Sequence, residues 1–128
     1  MLTSSAKAKG RRLSQAVKDL LLSFAPDQLV ADDISVVSSG VTGPDLLLSP
    51  RAKQIFDIVV ECKQQERLNI WDAIKQSQAH AVGVDQKPVV FFSRNREKHI
   101  YAVMKADDLL HFITDRSAAP LAASSSKV

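Results

Sequence analysis

The stretch GPDLLLSPRAKQIFDIVVECK, Gly43 to Lys63, decides how the chain reads. Its second half, IFDIVVECK, is dense in β-branched residues and reads as a central strand buried on both faces. Asp45 to Leu48 reads as a shorter strand before it, with SPRAKQ as the turn between them. Side chains alternate along a strand, so Glu61 and Lys63 point one way while Cys62 points into packing on the other. A carboxylate and an ammonium at the end of an apolar strand are costly to bury unless they pair or bind something. Taken alone, the pattern is also that of a strand emerging into solvent and ending in charges.

Working outward, Leu13, Val17, Leu20, Leu21 and Phe24 recur at helical spacing, which predicts an amphipathic helix from about Arg11 to Phe24, ended with the help of Pro26. Ile34, Val36 and Val37 suggest a strand running into the turn-rich SSGVTGPD. Downstream, Asn69 is a suitable N-cap for a helix from Ile70 to about Ala81, with Asp72 in its first turn and Gly83 closing it. Ile70, Ala73, Ile74, Ser77 and Ala81 would form its inner face. PVVFFS (Pro88–Ser93) and HIYAVM (His99–Met104) read as strands joined by the turn RNREK, and ADDLLHFI as a final short helix. The expected order is helix, three strands, helix, two strands, helix. This is an α/β fold with a mixed, mostly antiparallel five-stranded sheet flanked by helices.

Length and composition bound the rest. The chain has 128 residues, 45% hydrophobic and 24% charged, which suits one soluble domain. No apolar run approaches the roughly 20 residues needed to span a bilayer, and MLTSSAKAKGRRLSQ lacks the apolar centre of a signal peptide. A cytoplasmic setting with no membrane partner is expected. The working domain is expected over 9–115, after a flexible start at 1–8 and before a tail, 116–128, of disordered composition. Cys62 is the single cysteine, which excludes an intrachain disulfide and a multi-thiolate zinc site. The net charge is +3. Positive residues concentrate at Lys7, Lys9, Arg11, Arg12 and Lys18, and again at Arg94, Arg96 and Lys98. Such clusters suit a polyanion such as nucleic acid, whose backbone they would hold without reading its sequence, although a basic surface is more often simply solvated.

Asp45 gives the strand-end charges a chemical meaning. A short strand beginning with Asp beside a longer one ending in Glu would bring two carboxylates together, an arrangement made favourable by a hard divalent cation such as Mg²⁺. Such an ion activates water and offsets charge building on phosphorus, and Lys63 could orient the water or stabilise the transition state. The chemistry implied is phosphodiester hydrolysis.

Pro44-Asp45 followed by Glu61-Cys62-Lys63 resembles the PD-(D/E)xK nuclease signature. Within that superfamily the chain is most similar to archaeal-type Holliday junction resolvases and phage-encoded proteins like them. Lys9-Gly10, Ser39-Gly40, Gln76 and the run ECKQQERLNIWDAIKQSQAHA (Glu61–Ala81) fit that pattern, and the similarity spans Lys9 to about Ile113. The resemblance implies a restriction-endonuclease-like core and a homodimer making paired nicks in four-way DNA junctions. It also implies Mg²⁺, replaceable by Mn²⁺, held by Asp45, Glu61 and the carbonyl of Cys62, with Lys63 assisting the water. Ser39 is implied as a DNA or supporting contact and Gln76 as a residue orienting Lys63 or a water. A phage source would place the protein in the host cytoplasm. One departure stands out: where the archaeal-type enzymes carry a glutamate in the first helix, this chain has Ser14 followed by Gln15. Either Ser14 or Gln15 would stand in for it, Gln15 as a neutral oxygen ligand or a supporting contact. The rival readings are a less selective nuclease acting on branched or duplex DNA and a DNA-binding homologue with little catalysis. Trp71 would either pack at the helix edge or serve an interface, packing being the default; Phe91 and Phe92 are expected in the core and not as base-stacking platforms, and His80, His99 and His111 are expected to serve no catalysis. Gln65 is a weaker candidate on the face of Glu61 and Lys63.

Overall fold

The structure is a computed structural model that describes residues 4–38 and 40–124. Its elements are α1 (Ser4–Ser23), a 3-10 turn (Ala31–Asp33), β1 (Ile34–Val36), β2 (Leu46–Leu48), α2 (Pro50–Phe56), β3 (Ile58–Gln64), α3 (Ile70–His80), β4 (Lys87–Ser93), β5 (Tyr101–Val103) and α4 (Ala106–Ser124). The sheet runs β1-β2-β3-β4-β5. Every neighbouring pair is antiparallel except β3 and β4, which are parallel in the register Ile58↔Lys87 to Gln64↔Ser93. A parallel pair needs a crossover, and α3 supplies it.

The segment expected to be a turn between β2 and β3 is instead the helix α2. Ser49 caps it, accepting a hydrogen bond from the Ala52 amide at 3.1 Å, and Pro50 occupies the first turn, where its missing N–H is harmless. The Ser49 hydroxyl also donates to Asp33 Oδ1 at 2.7 Å, tying α2 to the start of β1. Ile55 and Phe56, expected in the strand, therefore close a helix. Asp57 takes the left-handed conformation, φ 51°, that ends it, and β3 begins one residue later.

Strand parity divides the sheet into two faces. Ile58 and Val60 of β3 and Val89 of β4 join Leu13, Val17 and Leu21 of α1 in one core, with Cys62 and Phe91 half-buried against it. Glu61, Lys63, Val90 and Phe92 point the other way, toward the face that α3 covers with Ala73 and Ser77. On α1 the core positions recur at every fourth residue. The helix ends at Ser23, and Ala25 and Leu29 take the next buried places. Phe24 consequently stands 78% exposed and Leu20 lies at the surface, not in the core as helical spacing suggested. Trp71, expected to pack, is 77% exposed because α3 turns Ala73 and Ser77 inward instead.

The first and last helices are longer than the helical spacing predicted. α1 starts at Ser4, within the stretch expected to be flexible, where Ala6 and Ala8 favour helix. α4 continues to Ser124, into the region of disordered composition. Among the described residues no helix is long and apolar enough to cross a membrane.

The core assignment gives a stability contrast within one helix. Leu21→Ala should lower the unfolding free energy by about 2–4 kcal/mol in a denaturant titration, and Phe24→Ala by roughly 0.5 kcal/mol or less.

Candidate active site

The path into the site is set by Gly43, whose φ of +119° is open to glycine and strained for other residues. Pro44 follows, and then Asp45 is fixed by its backbone on both sides. Its amide donates to the Val60 carbonyl at 2.9 Å, and its carbonyl accepts from the Val37 amide at 3.0 Å. The side chain is fixed as well: Asp45 Oδ2 accepts the backbone amide of Cys62 at 2.7 Å. Within a strand the N–H and C=O of one residue point the same way. The Cys62 carbonyl therefore points toward the edge where Asp45 lies.

The Asp45 carboxyl lies within hydrogen-bonding reach of the Glu61 carboxyl. Glu61 is only 6% exposed. Burial, then the hydrogen bond and negative charge of Asp45, push its pKa up to about 8, with the Lys63 ammonium pulling the other way. Lys63 is half-buried on the same face, two residues on. Asp45 thus meets Glu61 across the β2–β3 pair, as the adjacency of the two strands predicted, and Lys63 shares the face of Glu61, as strand parity predicted.

A fourth residue joins them. His80 Nδ1, in the last turn of α3, lies 2.7 Å from Glu61 Oε2. No spacing among the histidines pointed to it, and the contact spans 19 positions. The signal available was indirect: His80 lies seven residues after Ala73 and three after Ser77, on the stripe of α3 that faces the sheet.

Cys62 contributes main chain and packing. Burial first, then the Asp45 charge, pushes its thiol up to about 12, against a hydrogen bond from Ser14, so the sulfur stays protonated at neutral pH. Ser14 is buried beside it, on the α1 face, across the strand from the Glu61 side chain. Gln15 is exposed and donates through Nε2 to Asp19 Oδ1 at 3.0 Å, so its side-chain amide is engaged along its own helix. Gln76 is also exposed; the residues of α3 that turn toward the sheet are Ala73, Ser77 and His80. Gln65 is exposed past the end of β3. Ser39 lies outside the described residues.

The two basic clusters, far apart in sequence, meet. Lys9 and Arg12 of α1 and Arg94, Arg96 and Lys98 of the β4–β5 turn line one open groove of about 360 Å³, with Gln64 at the end of β3 in its wall. Arg11 is exposed on the same helix but is not part of that lining. The turn is braced by Glu66 Oε2, which accepts the Asn95 amide at 2.6 Å, and by Ser93 Oγ, which donates to the His99 carbonyl at 3.0 Å. Arg96 sits at its tip with φ 66°.

Among the described residues no group of three His, Cys, Asp or Glu side chains is arranged to hold a metal ion. The donor set that fits a hard divalent cation is smaller: two adjacent carboxylates, Asp45 and Glu61, and the Cys62 carbonyl on the same edge. Two acids crowded into one partly buried place, one of them holding a proton far above its usual range, fit such an ion.

The raised pKa of Glu61 has a stability consequence in metal-free protein. Between about 4.5 and about 8 the folded chain keeps a proton that the unfolded chain has released, so stability falls as pH rises through that window. Denaturant titrations from pH 4.5 to 9 should show that decline, and Glu61→Gln should flatten it. Compared with protein-family models, with curated proteins and with solved structures, the chain matches none.

Proposed function

We propose that the protein is a Mg²⁺-dependent endodeoxyribonuclease that hydrolyses phosphodiester bonds in branched DNA, with the four-way Holliday junction as its preferred substrate. The observation that carries this reading is the convergence of Asp45 and Glu61 at the β2–β3 edge, with Lys63 on the same face. The element order around the site agrees with the PD-(D/E)xK resemblance, and the groove of Lys9, Arg12, Arg94, Arg96 and Lys98 supports a polyanionic partner.

In this reading Asp45, Glu61 and the Cys62 carbonyl would hold the cation, and Mn²⁺ would replace it. Bound there, it would neutralise charge that builds on a phosphodiester under attack. The Cys62 amide holds Asp45 in place, and His80 fixes the rotamer of Glu61 from α3. Lys63 brings a positive charge to the same face, where it can steady the attacking water or the phosphoryl oxygens. The basic groove binds backbone phosphates, so recognition is of shape and not sequence. Two matched incisions across a junction call for two sites, which a two-fold homodimer supplies most simply. The protein would act in the cytoplasm.

A second reading has an observation of its own. Ser14 is packed on Cys62 and Gln15 is bonded to Asp19, so neither residue at the place of the helix glutamate adds a carboxylate. That favours a catalytically weak DNA-binding protein over a strong resolvase; a less selective nuclease would share the same site and differ only in its substrate.

Incubation with a labelled four-way junction, linear duplex and flap DNA discriminates among these. The resolvase reading expects paired symmetric nicks in the junction, abolished by chelation of Mg²⁺ and reduced at least about 100-fold by Glu61→Gln with junction binding retained. Binding with no cleavage in any metal supports the DNA-binding reading, and equal cleavage of all three substrates the less selective one. His80→Ala should lower the cleavage rate roughly 10- to 100-fold while leaving DNA affinity unchanged, measured by single-turnover kinetics beside a gel-shift titration.

A further inference from the structure

Phe92 was expected to serve only the core, and its neighbour Phe91 does pack against the α1-side core. Phe92 points to the opposite face. There it stands in a row across three strands, Lys63↔Phe92↔Tyr101, whose side chains share one side of the sheet. Tyr101 belongs to the edge strand β5 and is 49% exposed. The Phe92 and Tyr101 rings lie 6.0 Å apart at 33°, and His99 meets Tyr101 edge-on at 6.4 Å. Tyr101 Oη approaches Glu97 Oε2 at 3.5 Å, which helps to orient the ring.

The two rings form part of an open cavity of about 430 Å³, whose walls also carry Gln65, Glu66, Arg94 and Glu97. Its charge balance differs from that of the basic groove: Glu66 and Glu97 here face Arg94 alone, whereas five cations line the groove beside Glu97. Two carboxylates make it a poor place for a phosphate, while the aromatic faces and the polar groups of Gln65 and Glu66 suit a flat, uncharged ring with hydrogen-bonding edges. The two cavities share a wall: Ser93, Arg94 and Glu97 line both. A ligand that fits both must present a chain of phosphates on one side and flat heterocycles on the other.

We propose that the Phe92–Tyr101 cavity is a stacking subsite for an unpaired nucleobase of a strand whose phosphates follow the adjoining basic groove. The row that starts at Lys63 places this subsite beside the proposed active centre. The inference deepens the nuclease reading and rests on it for the identity of the polymer. It makes the substrate class DNA with at least one unpaired or extruded base, because a base within a closed duplex offers no free face to the rings.

The test is binding in the presence of a chelator, where no cleavage interferes. The full chain is titrated with a 20-nucleotide oligothymidylate, with the same backbone carrying abasic residues, and with a blunt duplex. Tyr101→Ala should weaken oligothymidylate binding roughly 5- to 100-fold, as expected for loss of one base–aromatic stack, and leave abasic and duplex affinities unchanged. Tyr101→Phe should bind like the wild type, and Tyr101→Leu, which keeps apolar bulk, like Tyr101→Ala. A strand containing 2-aminopurine should be quenched on the wild type and not on Tyr101→Ala. Unchanged oligothymidylate affinity in Tyr101→Ala, equal losses on the abasic strand, or no binding of any of the three probes overturns the proposal. Base-dependent binding without Mg²⁺-dependent cleavage overturns the nuclease reading alone and leaves the subsite standing.

Discussion

The bond from the Cys62 amide to Asp45 Oδ2 at 2.7 Å holds the centre of this protein together. It draws a loop residue ahead of β2 onto the central strand at the point where the β2–β3 ladder runs out. It also forces a second carboxyl, Glu61, to share the space. Two acids that close and that poorly hydrated repel each other unless something positive lies between them. A proton held on Glu61 eases that repulsion in the metal-free chain, and the Lys63 ammonium on the same face contributes as well. A site under that tension is one that a divalent cation can relieve.

The fold separates the demands of packing from those of chemistry by parity along β3. Residues facing α1 are apolar and seal the core; the intervening Glu61 and Lys63 face α3, where small Ala73 and Ser77 leave room and His80 reaches Glu61. Cys62 belongs to the sealing side through its side chain and to the site through its main chain. The same alternation carried into β4 and β5 sends Phe91 into the core and Phe92 toward the open face beside Tyr101.

Much of this was legible in the residues. The dense β-branched run marked β3, the Asn69 cap marked α3, and period-two alternation put Glu61 and Lys63 together with Cys62 opposed. The Ser49-Pro50 pair was a readable helix start as well, but the β-branched run beyond it drew Ile55 and Phe56 into the strand. Other features are not local. Nothing in the spacing of Glu61 and His80 says that α3 folds back along β3 far enough for them to touch. Lys9 and Arg12 lie some 85 positions from Arg94 and Arg96, and their union in one groove depends on how α1 crosses the sheet. The exposure of Phe24 and Trp71 likewise depends on where each helix ends and which stripe its neighbour accepts, which periodicity alone leaves open.

Calorimetric titration of Mn²⁺ into the metal-free protein at pH 7, in two buffers of different ionisation enthalpy, addresses the carboxylate pair directly. The account predicts saturable binding accompanied by release of a proton to the buffer, with both the binding and the release lost in Asp45→Asn. Binding of equal strength in Asp45→Asn, or binding that releases no proton, would contradict it.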